Sequence, residues 1–153
     1  MIDYFWIKIC CPIWSFIVNS FYWLFNINKI GKVKVEKKLL KESIETVEDI
    51  KQVLNKFKWT EDKLKDWRPW IITLINRKYK DDCDGAAELS RFLFKQINIK
   101  GYILSLCGKT GHAIFISADK KYLASNNNVI EGDWTDSNIL KHFGGKYTKI
   151  IKR

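Results

Sequence analysis

Asp81-Asp82-Cys83-Asp84-Gly85-Ala86-Ala87, followed 29 residues after the cysteine by Gly111-His112-Ala113-Ile114-Phe115-Ile116, is the part of this chain on which its fold turns. Asp81 or Asp82 supplies a side-chain acceptor for a helix start, and Ala86, Ala87, Leu89, Leu93 and Phe94 recur along one helical face behind it. Gln96-Ile97-Asn98-Ile99-Lys100-Gly101 closes that helix. His112 opens a run rich in β-branched and aromatic residues, which reads as a strand. A cysteine at a helix head and a histidine on a strand able to fold back against it form a candidate nucleophile and general base. The chain has only two histidines, and the other, His142, lies near a glycine pair and reads as packing or surface.

Outward from this pair the pattern is α+β. Tyr102 to Cys107, His112 to Ser117 and Tyr122 to Asn126 are three β-rich runs joined by short polar connections, which favours antiparallel hairpins. Upstream, Thr46 caps an amphipathic helix over about 47–58, with Ile50, Val53, Leu54 and Phe57 on its apolar side. Thr60-Glu61-Asp62 suggests a second, shorter helix running towards Trp67, and Pro69 fits the first turn of a third containing Ile71, Ile72, Leu74 and Ile75. Trp59, Trp67 and Trp70 read as core aromatics. A short helix near Asp136 to His142 and a last strand at Tyr147 to Ile151 complete the domain.

At 153 residues with 46% hydrophobic content, the chain supports one domain of 46–153 with an appendage. The net charge of +10 suits an acidic partner, yet the lysines are spread along the whole chain without an arginine-rich stripe or a zinc-finger spacing. That distribution argues against nucleic acid and for a solvated surface. Cys10, Cys11, Cys83 and Cys107 offer no CxxC pair and no disulfide framework, so no metal and no cofactor is expected, and free thiols fit a reducing compartment.

Residues 1–30 differ from the rest. No residue from Ile9 to Asn28 is charged, a length of about 20 residues that covers roughly 30 Å of hydrocarbon as a helix. Pro12, Asn19, Asn26 and Asn28 weaken the hydropathy, while Trp6, Trp14 and Trp23 also suit an interfacial helix, so a membrane anchor, an interfacial helix and burial against a partner or the domain itself all fit. Asp3 and the lack of a small-residue cleavage site argue against a cleaved signal peptide. Lys29 follows directly, and then Lys32, Lys34, Lys37 and Lys38 in a basic linker of 31–45, whose strongly polar end also reads as a solvated helix start. The positive-inside tendency places the domain of an anchored chain on the cytoplasmic side, and an unanchored chain is expected in the cytoplasm.

The reactivity of the central pair turns on ionisation of the thiol. A helix N-terminus and a nearby imidazolium both lower a thiol's pKa, and Asp81, Asp82 and Asp84 oppose this unless they turn away to cap the helix. The imidazole needs a third group to hold it. In a hairpin turning at Asp119-Lys120 the candidate is Asn126, with Ser125 and Asn127 one register step away. The Asn126-Asn127-Asn128 run also reads as plain turn chemistry. The Cys83 backbone N–H can serve a developing oxyanion; Trp70 and Asn76 lie on the preceding helix, and neither is assigned as the second donor.

Asp82-Cys83-Asp84-Gly85-Ala86-Ala87, Gly111-His112-Ala113 and Tyr122-Leu123-Ala124-Ser125-Asn126 resemble the motifs of the transglutaminase-like cysteine proteinases, a papain-like group. Trp67-Arg68-Pro69-Trp70 is similar to the approach to the cysteine helix in bacterial members. The resemblance covers roughly 45–153. It implies a papain-like core with the nucleophile at a helix N-terminus packed on a small antiparallel sheet, thiol-dependent acyl transfer at an amide bond through a triad of Cys83, His112 and Asn126, and a protein or peptide substrate. Asp81 stands where the family usually has glycine, and Ser125 or Asn126 where it commonly has aspartate. The NlpC/P60 cell-wall peptidases, with a similar Asp-Cys start, are the nearest competing family. A reading from a different class is a catalytically inactive transglutaminase-like protein that docks on a membrane or a larger assembly.

Overall fold

The computed structural model describes residues 6–61 and 67–153. Its described part is α+β: a five-stranded antiparallel sheet carries helices on both faces, and a small parallel ladder stands apart from it. The sheet order is β6 (Asn128–Glu131), β5 (Tyr122–Ser125), β4 (Gly111–Ser117), β3 (Gly101–Gly108) and β7 (Tyr147–Lys152). Consecutive strands from β3 to β6 are neighbours, while β7 returns to the outer edge of β3 and pairs Ser105 with Ile151.

Alternation of side chains divides the core. Ala113 and Phe115 of β4 and Ala124 of β5 face α5 (Cys83–Gln96), where Phe115 stacks on Phe94 with ring centroids 4.8 Å apart. Leu104, Leu106, Ile114, Ile116 and Leu123 face the other way, towards Trp134 and Ile139 of the α6 region (α6, Asp136–His142). Two apolar layers thus sandwich the sheet, and α5 is held on one of them along its whole length.

Local chemistry explains the element ends. Asp82 caps α5 by accepting the Asp84 N–H at 2.8 Å. Thr46 and Asp49 cap α3 (Val47–Leu54) reciprocally, as a capping box. After α4 (Ile71–Asn76), Lys78 and Tyr79 both take positive φ, 54° and 58°, which turns the chain sharply into β2 (Lys80–Asp81). β2 pairs in parallel with β1 (Lys58–Trp59). The segment expected to start a short helix at Thr60 instead follows β1, and residues 62–66 lie outside the described part. The three tryptophans read as core separate here: Trp67 is buried, whereas Trp59 and Trp70 are exposed.

The N-terminal third packs against the rest of the described domain. After a short π-helical turn, α1 (Cys11–Phe25) leads to α2 (Ile30–Glu42), so most of the stretch read as linker is helical. Val33 of α2 is buried with Trp23 and with Ile75 of α4. α1 turns its polar residues inward: Ile7, Cys11, Ser15, Asn19 and Trp23, at four-residue spacing, are the buried ones. Asn19 donates to the Arg68 carbonyl at 2.8 Å and accepts from the Trp70 N–H at 2.9 Å and the Thr73 hydroxyl at 3.0 Å. Trp23 donates to Thr73, and Ser15 accepts from the Arg68 N–H. These bonds satisfy the backbone around Arg68 and the first turn of α4, which lack ladder partners of their own.

Candidate active site

Cys83 is the first residue of α5, and its thiol packs among Ala87, Ile103 and Ala113 where β4 runs beyond the end of β5. The Ala113 backbone N–H lies where it favours the thiolate. His112, one residue earlier, projects from the opposite face of β4, with its ring stacked on Tyr147 at 6.1 Å and edge-on to Phe143 at 5.5 Å. Both residues line one cavity of about 350 Å³, together with Arg68, Arg153, Ser105 and the α1 residue Cys11. Among the described residues no hydrogen bond joins Cys83 to His112.

His112 Nε2 lies 2.9 Å from Ser125 Oγ. Of the three candidates for the orienting group, the structure therefore brings Ser125 to the imidazole. Register decides this. Ile116 opposes Leu123 and Phe115 opposes Ala124, so residues 112, 114 and 116 share a face with 123 and 125. Asn126 belongs to the alternate set and begins the two-residue turn between Ser125 and Asn128, with φ of 51°, a conformation asparagine tolerates better than most residues. Its Oδ1 is buried with no hydrogen-bond partner. Asn127 is the exposed second residue of the same turn.

The three aspartates around the cysteine have separate tasks. Asp81 is fully buried, accepts from the Asp82 N–H and pairs with Arg77. Its Cβ lies so close to α5 that a Cβ on Gly85 would come within 2.4 Å of it, which accounts for glycine at that position. Asp82 is the cap. Asp84 is 5% exposed and its Oδ1 meets Arg153 Nη1 at 2.7 Å, while Arg153 Nε donates to Ser105 Oγ. The buried ion pair locks β7, β3 and the head of α5 together under the cavity.

These surroundings oppose an activated thiolate. Burial, followed by the carboxylates of Asp84 and Asp82, pushes the Cys83 thiol up to about 12, against the Ala113 N–H and the Arg153 charge. Burial also lowers His112 below its ordinary 6.5, with Asp84 acting in the opposite direction. At neutral pH both groups are uncharged. A helix N-terminus and an imidazole are present, but low dielectric and two carboxylates outweigh them.

Asn76 donates to the Tyr22 hydroxyl, and Trp70 lines a different hollow against Phe16 and Pro69, so neither lines this cavity. The Cys83 N–H is one of the first-turn donors of α5 that lack an intrahelical acceptor. Reading the sequence missed Arg153, Ser105 and Cys11 as cavity residues. For Cys11 a signal existed in its four-residue spacing with Ser15 and Asn19; for Arg153 none did. Among the described residues no cluster of histidine, cysteine and carboxylate side chains could hold a metal ion. Comparison with protein-family models, curated proteins and solved structures found no match.

Proposed function

We propose that this chain is a thiol-dependent acyl-transfer enzyme of transglutaminase-like, papain-like architecture, acting at an amide bond of a protein or peptide. The observation that supports this reading is a thiol at a helix head sharing one cavity with an imidazole whose Nε2 is engaged by a hydroxyl from the adjacent strand. Cys83 Sγ attacks the carbonyl carbon while its proton passes to His112 through a water in the shared cavity, since the two side chains make no direct hydrogen bond. The oxyanion is met by the Cys83 N–H. The C–N bond breaks as the leaving amine takes the proton from His112, and water or a second amine then cleaves the thioester. Because thiol and imidazole rest uncharged, the proton moves during attack, as it does for a serine hydroxyl, rather than before it.

The test uses p-nitrophenyl acetate as acyl donor. Release of p-nitrophenolate with acetylation of Cys83, read by peptide mass, is expected to slow about 10²–10⁴-fold in His112→Ala. Equal acetylation in the two proteins would refute the reading. It would favour the second reading, a catalytically inactive docking protein, which is supported by the protonated thiol and by serine at the position of an acid or amide.

A further inference from the structure

α1 is inverted relative to a helix on the surface of a soluble domain. Its buried stripe carries Ser15 and Asn19, while Ile13, Phe16, Ile17, Phe21, Leu24 and Phe25 are exposed, Phe25 to 81%. An apolar face of this kind, continuous along a helix, marks a contact with something apolar. Ile7–Phe25 is long and apolar enough to cross a membrane, with mean hydropathy 1.3. Yet crossing would tear Asn19 from three partners and Ser15 from the Arg68 N–H, and leave those groups in hydrocarbon.

We infer that α1 lies in the plane of an anionic lipid surface, its apolar face in the acyl boundary and its polar stripe docked on the domain. Charge selects this occupant. α2 follows at once and exposes Lys32, Lys34 and Lys41, none of which forms an ion pair among the described residues, in a chain of net charge +10. Trp14, 37% exposed, and Trp70, 42% exposed, add aromatic rings of the kind that settle at headgroup level. The inner side of the same helix helps wall the cavity through Ile7 and Cys11, so docking places the cavity beside the bilayer. The inference does not depend on the acyl-transfer reading.

The full chain is mixed with vesicles of phosphatidylcholine alone and with about 30% phosphatidylglycerol, and bound protein is measured by flotation. Binding is expected only to the anionic vesicles. The triple variant Lys32→Gln, Lys34→Gln, Lys41→Gln should bind roughly 100-fold more weakly. Ile13→Glu with Leu24→Glu should abolish binding while leaving the circular dichroism and melting of the domain unchanged, since both side chains are exposed. A tag ahead of residue 1 should stay open to protease added outside the vesicles. Protection of that tag would show a spanning helix and overturn the inference. Equal binding to neutral vesicles would overturn the choice of an anionic surface. A self-associating chain that ignores vesicles would show that a second copy covers the face.

Discussion

Alkylation of Cys83 by iodoacetamide, followed by peptide-resolved mass spectrometry from pH 6 to pH 10 (a range chosen as roughly bracketing ordinary thiol titration), probes the electrostatics of the site directly. A thiol at about 12 rather than the ordinary 9.0 has about a thousandfold less thiolate near neutral pH. Its thiolate is more nucleophilic in compensation: a Brønsted slope of about 0.4–0.5 returns roughly 15–30-fold. Cys83 should therefore react about 30–60-fold more slowly than a model thiol. Its rate should climb tenfold per pH unit with no plateau up to about pH 10. The cavity opens to the sulfur, and Cys83 is only partly buried, so slow reaction would report ionisation rather than exclusion. Asp84→Asn removes the leading carboxylate and should speed the reaction. A plateau below about pH 8, or a rate above the model thiol near pH 6, would reveal a thiolate–imidazolium pair and refute the reasoning.

Ser125→Ala should slow Cys83 acetylation about tenfold through loss of the bond to His112 Nε2, whereas Asn126→Gly should leave it unchanged, because glycine suits the positive φ at that turn; equal losses in both would refute the assignment. Asp84→Asn leaves the Arg153 guanidinium buried without its partner and should destabilise the domain by about 3 kcal/mol in urea denaturation. Gly85→Ala forces a Cβ against Asp81 and should lower stability by about 1–3 kcal/mol, seen as a reduced urea midpoint. His112 is held below its ordinary 6.5, so the unfolded chain takes up its proton first. The stability that depends on a neutral imidazole is present above pH 6.5 and is lost as pH falls through the lower folded value. The acid-side slope of denaturation midpoints should flatten in His112→Gln.

Much of the architecture was legible because it rests on signals within single elements. The Asp82 cap, the apolar stripe of α5, the Thr46 cap and the alternation in β3 and β4 are local, and each expected element appears close to its place. The expected strand Tyr122 to Asn126 ends one residue early, because Asn126 is taken by the turn that launches β6, a strand the sequence reading did not anticipate. That single residue changes which side chain meets His112. The orienting group depends on pairing register, which a run of polar residues does not announce.

Residue types and spacing thus established the α+β class, the helix head at Cys83 and the strand bearing His112, since caps and periodicity act over one or two turns of chain. Folding settled the rest. Ser125 reaches His112 through cross-strand register, and Arg153 reaches Asp84 because β7 returns to the edge of β3. Asn19 faces inward because Arg68, Trp70 and Thr73, some 50 residues on, present the donors and acceptor it can satisfy. The protonation of Cys83 is likewise a property of its enclosure, for a thiol's charge depends on the dielectric and carboxylates that packing brings to it.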